Sequence, residues 1–206
     1  VNKYSPDSTI LIVDSYSDDY KVFQELQELP NVVISPKKNK NFEAGAFWIA
    51  HELYPDEDLL ILQDSIIVSY DLNFLKEKDF FCFSYQQFQW FENCEILEKF
   101  LNNGNFTLNT SNNLIFGNSF YLKNKYIKQL KEKNIHTLLP INKKDSCAME
   151  RLWGMILTQI GLDIENNSFI HQNFLAESTD NSPVEIDNQV YVYQNKFFTK
   201  YILSRK

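Results

Sequence analysis

Four side chains stand where this chain could do chemistry. Asp64 breaks the apolar stretch DLLILQDSIIVS, in which Leu59 to Leu62 run straight into Gln63, Asp64 and Ser65 before Ile66 to Val68 resume. A carboxylate at the end of a buried strand is costly unless its charge is compensated, and ligands of α/β sheets collect at the carboxyl ends of strands. Asp14 follows the apolar run Thr9 to Val13 in the same way. Glu150 rides on a helical segment but off its apolar stripe, and His171 closes the segment SFIH. Groups released from packing like this can accept a proton or ligate a cation. Each also has a plainer reading: Asp14 and Asp64 as turn or cap residues, Glu150 as a solvated helix residue, His171 as a surface or edge-strand histidine.

The elements that must position them follow from periodicity. Thr9–Val13 reads as a short buried strand, and Ser17 or Asp18 offers an N-cap to a helix carrying Val22, Phe23, Leu26 and Leu29, ended by Pro30. Asn31–Ser35 is a second strand. In NFEAGAFWIAHELYP, Phe42, Ala46, Ile49, Ala50 and Leu53 fall on one face of a helix that Pro55 closes. Gly45 inside it costs about 1 kcal/mol relative to Ala, which points to a close approach there. The Asp64 strand comes next. The order β-α-β-α-β implies an α/β fold with a mostly parallel twisted sheet flanked by helices, wound by right-handed crossovers. Thr9–Val13, Asn31–Ser35 and Leu59–Leu62 are then parallel neighbours, with Asp14, Ser35 and Asp64 at one edge.

Asp79–Tyr85 reads as a fourth strand. Residues 86–113 are polar, aromatic and Asn-rich, with a helical piece around Glu95 to Leu101, and read as a functional loop region or a partly disordered one. Phe88, Trp90 and Phe91 there could stack on a sugar or simply pack. Leu114–Phe116 resumes a strand, and Tyr126, Ile127 and Leu130 mark a Lys-rich helix. Asp145 or Ser146 caps a helix whose stripe is Met149, Leu152, Trp153, Ile156 and Ile160. Ile164–Ile170 adds an edge strand, 176–189 reads as a loop, and 190–206 as an aromatic, basic tail whose Lys196 and Lys200 face water or a pyrophosphate.

The 206 residues suit a single domain able to bury a full core. Hydrophobic residues make up 44% and charged residues 23%, as in ordinary globular proteins. A net charge of −7 argues against duplex nucleic acid as a partner. No apolar run approaches the ~20 residues needed to span a bilayer, and the start does not read as a signal peptide. Three cysteines without metal-ligand spacing leave one unpaired and favour a reducing, cytoplasmic setting. The first residue is Val, which leaves open that the chain is one domain of a longer protein.

There is no GxGxxG after the first strand, no P-loop, no GxSxG and no HExxH. VDSYSDD followed by NFEAGAFWIAHELYPDEDLLILQDS resembles instead the nucleotide-binding half of GT-A-fold glycosyltransferases, and AMERLWGM and FIHQ resemble its acceptor-side helix and late metal-binding segment. The similarity spans about residues 9 to 172 and suits a small member akin to the glycosyltransferase domains of large DNA viruses. It implies a GT-A-like fold with a nucleotide-binding half near 1–70, an acceptor half near 71–175 and a tail over 176–206.

By that resemblance Asp14, Ser15, Tyr16, Asn41, Gly45, Gln63 and Ser65 contact the nucleotide. Asp64 and His171 hold Mn²⁺ or Mg²⁺, and Glu150 is the general base of an inverting transfer, with Asp145 as the rival base. The substrates are a nucleoside diphosphate sugar donor and a glycan or glycoprotein acceptor. The family motif usually has a second acid, whereas Gln63 and Ser65 flank a lone Asp64 here. A non-catalytic carbohydrate-binding or scaffold protein on the same fold is therefore an alternative. A nucleotide-sugar pyrophosphorylase ranks lower, because VDSYSDDY lacks the Gly-rich basic loop such enzymes use.

Overall fold

The computed structural model describes residues 6–17, 21–63, 66–68, 71–88, 94–109, 112–171, 184–186, 190–194 and 198–203. Strand β1 (Ile10–Ile12) pairs in parallel with β2 (Val32–Ile34) through helix α1 (Lys21–Gln27), as the β-α-β pattern requires. Helix α2 (Phe42–Leu53) then leads to β3 (Leu59–Leu60). After β4 (Ile66–Val68) come β5 (Phe80–Phe88), helix α3 (Glu95–Asn103), β6 (Asn112–Ile115) and β7 (Phe120–Leu122). Helices α4 (Asn124–Glu132) and α5 (Lys143–Gln159) precede β8 (Ser168–His171), and the chain closes with β9 (Val184–Ile186), β10 (Val190–Gln194) and β11 (Phe198–Leu203).

The α/β class holds, but the expected mostly parallel sheet does not. Among the described pairings only β1 with β2 and β5 with β8 are parallel. The largest sheet runs β3-β7-β5-β6 with β8 on β5, and a second, β4-β11-β10-β9, is antiparallel throughout. β3 is paired with β7 rather than with the parallel pair. The cause is local pinning: Ile61 N donates to Phe120 O (2.9 Å), and Asp58 accepts from both Tyr121 Oη and Asn124 N at 2.8 Å. These bonds tie the end of the α2–β3 connection to the start of α4. The strand expected over Leu59–Leu62 is shorter, with the apolar Ile61 and Leu62 already outside β3, and β4 pairs with β11, so the expected tail contributes strands.

The core is built on α5, whose Met149, Leu152, Trp153 and Ile156 are fully buried, as their spacing predicts. Trp153 meets Phe120 at 5.2 Å and Phe47 at 5.4 Å between ring centroids. Gly154 faces β6 so closely that a Cβ there would overlap the carbonyl oxygen of Asn113. The buried face of α2 is Ala44, Gly45, Phe47 and His51, one position round from the predicted stripe, whose members are half-buried. Both sides of this helix are covered, so apolarity alone picks the wrong face. The cap of α5 is Asn142, whose side chain accepts from Asp145 N at 2.9 Å, while Asp145 and Ser146 sit inside the first turn. No helix among the described residues is long and apolar enough to cross a membrane.

His51 is buried against Trp48, and its Nδ1 has no hydrogen-bond partner. Burial, then Lys131 and Lys128, hold its pKa below the ordinary 6.5, with Asp56 opposing. The unfolded chain therefore binds the proton more readily. The stability this neutral ring contributes is complete above about pH 6.5 and is lost as the pH falls through the lower folded value. Denaturant unfolding between pH 7 and about pH 5 is expected to show stability falling towards acid, and H51Q to flatten that slope. An unchanged slope in H51Q would assign the acid sensitivity elsewhere.

Candidate functional site at the amino end of helix α2

The first turn of α2 lies between two polar clusters. One forms where β1 and β2 end. Asp14 accepts from Ser17 N and from Lys38 Nζ, each at 2.9 Å, and its carbonyl accepts from Asn39 N. The Lys38 ammonium, then the Ser17 N–H, hold the Asp14 carboxyl down to about 2. Asp14 and Ser35 stand at the same edge of the parallel pair and line a cleft of about 310 Å³ with Phe23, Gln27 and Lys38. Tyr16 is half exposed, and the ammonium groups of Lys38 and Lys40 each lie 5.4 Å from its ring centroid, within cation–π range.

Asn39 connects this cluster to α2. It is buried, its Nδ2 donates to Ser15 Oγ (3.3 Å) and to Phe42 O, and its Oδ1 accepts from Asn41 N (2.9 Å). Gly45 is required by this arrangement, because a Cβ would overlap Asn39 Oδ1 and come within 2.7 Å of Asn41 Cβ. Asn41 does not cap its own helix; its Nδ2 donates to Pro140 O at 3.0 Å, tying α2 to the chain entering α5.

The second cluster forms where β3 ends. Gln63 Nε2 donates to Glu43 Oε1 at 2.7 Å, and Asn118 Nδ2 reaches Glu43 Oε2 at 3.4 Å. Gly117 N donates to Glu150 Oε1 at 3.0 Å. Gly117 and Asn118 both have positive φ (61° and 48°), a conformation that glycine adopts freely and asparagine tolerates. This left-handed kink between β6 and β7 therefore presents its backbone to Glu150 and its side chain to Glu43. Two carboxylates thus flank one turn of chain beside the α2 N-terminus.

The sequence-predicted residues divide accordingly. Asp14, Ser15, Asn41, Gly45 and Gln63 gather around the first turn of α2, Tyr16 stands beside them, and Glu150 joins through Gly117. Asp64 and Ser65 lie outside the described residues, as do Trp90, Phe91 and Lys196. Of His171, Phe88 and Lys200 only the backbone is described. His171 pairs with Tyr85, whose other neighbour is Ile115, so its backbone stands about 10 Å, two strand spacings, from the residue that leads into the kink. Asp145 is not an available base. It is 1% exposed and accepts from Ile96 N, Ile141 N and Asn142 Nδ2, bracing α3 against the start of α5. Among the described residues no group of three or more His, Cys, Asp and Glu side chains could hold a metal ion.

Glu43, Asn118, Asn39 and Lys38 were not singled out from the sequence. The Gly117-Asn118 dipeptide is a turn signal of the kind that marks such a kink. Glu43 carries no comparable signal, because its partners lie 20 and 75 residues away.

No family model, curated protein or solved structure matches this chain. The site therefore stands on its own geometry.

G45A tests the joint between the two clusters. Alanine is the better helix former by about 1 kcal/mol, so relief of helix strain alone would raise the melting temperature. Displacement of Asn39 outweighs this, and G45A is expected to melt below the wild type. A melting temperature equal to or above it would show that Asn39 can leave at no cost.

Proposed function

We propose that the chain is a nucleotide-sugar-dependent glycosyltransferase of the hexosyl type, acting on a glycan or glycoprotein hydroxyl. One observation supports the reading above others. Asp14, Ser15, Asn41, Gly45 and Gln63 converge on the amino end of one helix, with Glu150 one kink away. The nucleoside occupies the cleft at Asp14 and Ser35, and Lys38 and Lys40 bring positive charge to that side. The N-terminus of α2 favours the diphosphate, as helix N-termini favour anions. The acceptor hydroxyl meets Glu150, whose carboxylate the Gly117 N–H holds in one orientation.

In the proposed step the acceptor oxygen attacks the anomeric carbon while its proton passes to Glu150. The bond from that carbon to the diphosphate oxygen breaks, and its electron pair leaves with the nucleoside diphosphate. Attack opposite the leaving group inverts the anomeric configuration. Asp64 and His171 would be the protein ligands of a Mn²⁺ or Mg²⁺ ion, which would supply charge neutralisation to the departing diphosphate. The free thiols Cys82, Cys94 and Cys147 support a cytoplasmic setting. A second reading, carbohydrate binding without turnover, draws on the lone acid of the Gln63-Asp64-Ser65 motif and on Glu43 being hydrogen-bonded through both oxygens.

Turnover of nucleotide sugars with and without Mn²⁺ separates the two. E150Q is expected to lower transfer by about 10²–10⁴-fold, the share of a positioned base, with donor binding intact, since the introduced carboxamide oxygen can still accept from Gly117 N. Unchanged turnover, or a product of retained configuration, removes Glu150 from the role.

Metal dependence is read from melting curves. A ligand at about a hundred times its dissociation constant stabilises the fold by ~2.7 kcal/mol, and each kcal/mol is worth about 2–4 °C in a domain of this size. The cognate nucleoside diphosphate with Mn²⁺ is expected to raise the melting temperature by roughly 5–10 °C, and either alone by clearly less. D64N is expected to abolish the metal-dependent part. Equal responses with Mn²⁺ and with chelator would dismiss Asp64 and His171 as a metal pair.

A further inference from the structure

Asn118 is 2% exposed, and its Oδ1 is buried without a hydrogen-bond partner. Such an unpaired acceptor is costly to maintain, and in a native fold it calls for a reason. The Nδ2 of the same carboxamide reaches Glu43 Oε2 only at 3.4 Å, the long limit of a hydrogen bond, whereas Gln63 holds the other Glu43 oxygen at 2.7 Å. Oδ1 and Nδ2 share one carbon about 2.2 Å apart, so Oδ1 lies within about 6 Å of the Glu43 carboxylate. Glu43, Gln63 and Glu150 are each half-buried. The rim of the cluster therefore reaches solvent, with Asn118 as its buried floor.

A carboxamide sets one donor beside one acceptor, and a carboxylate accepts only. Two neighbouring sugar hydroxyls, each donor and acceptor, complete that set. The first replaces the long contact as the two side chains part, accepting from Asn118 Nδ2 and donating to Glu43 Oε2, and the second donates to Asn118 Oδ1. A carboxylate-bearing sugar would instead bring negative charge against Glu43 and Glu150. We infer that Glu43 and Asn118 form a vicinal-diol subsite that admits a neutral sugar and rejects an acidic one. This deepens the glycosyltransferase reading, and rests on it for assigning the diol to the transferred sugar.

The test is a titration of the whole isotope-labelled chain with the methyl glycosides of glucose, galactose and mannose, and with glucuronate. The side-chain NH₂ signals of Asn118 and Gln63 are followed by NMR. At least one neutral glycoside is expected to shift them saturably, with a dissociation constant in the millimolar range, and glucuronate to leave them in place. E43A, a change at a half-buried rim position, is expected to weaken the neutral response about tenfold or more. No shift with any neutral glycoside, equal shifts with glucuronate, or an undiminished response in E43A overturns the subsite. A separate titration with UDP, GDP and ADP alone, read at the Ser35 and Lys38 signals, reports on the cleft. Diol binding without nucleotide binding defeats the transferase reading alone, and nucleotide binding without diol binding defeats the subsite alone.

Discussion

Helix α5 lies directly on the backbone of β6, and it can do so because position 154 is glycine. Any larger residue would meet the Asn113 carbonyl and lever the helix away from the sheet. Glu150 stands one turn earlier on the same face of α5, since residues four apart are helix neighbours. Four residues beyond Asn113 the strand has ended and Gly117 offers its N–H to Glu150. The close approach at 154 therefore sets the height at which Glu150 meets the kink, and the kink in turn carries Asn118 to Glu43. The same approach seats Trp153 against Phe47 and Phe120, which fixes α2 on the core. One contact without a side chain aligns the three elements that carry the acidic half of the site.

The basic half is held differently. Among the described residues of 6–40 no apolar side chain is buried, whereas Asp14, Ser35 and Asn39 are. The parallel pair and α1 thus join the rest of the molecule through buried polar contacts, with the apolar core beginning at Ala44. Parallel sheets ordinarily bury both faces, and this two-stranded one does not. Its geometry rests in part on hydrogen bonds between residues that line the cleft: Lys38 to Asp14, and the Ser35 hydroxyl with Lys37 backbone. Binding energy at such a joint acts on the position of α2 as well as on the ligand.

What could be read from the chain depended on how local each feature was. In the 17-residue α5 the apolar stripe Met149, Leu152, Trp153 and Ile156 was legible and Glu150 stood out as the residue off it, although residues 152–157 are buried all round the helix. Asp14 and Gln63 stood out because polar residues end apolar runs. The face of α2 was misread because a helix covered on both sides has no clean stripe, and because its buried His51 is polar. Strand direction failed for a different reason. Asp58 and Tyr121 are 63 residues apart, and nothing near Leu59 announces that its partner runs antiparallel. The alternation in VYVYQ was present in the sequence, but the surrounding polar and basic residues made it read as a tail.

The two halves also differ in charge, and the α2 N-terminus lies between them. Lys38 and Lys40 crowd Tyr16 on one side, and Lys143 lies 5.9 Å from the Phe42 ring at the helix start. Glu43 and Glu150 occupy the other side, beside the kink. In a chain of net charge −7 this separation is a local arrangement that overall charge would not suggest. It gives the site a polarity. A ligand with an anionic end and a neutral, hydroxyl-rich end gains on both sides when the anion faces the lysines and the helix dipole. Turned round, the same ligand would set its anion against two carboxylates and leave its hydroxyls among ammonium groups that only donate. The nucleoside diphosphate sugar proposed above has this build, and on that proposal the favourable orientation sets its sugar towards Glu43, Asn118 and Glu150.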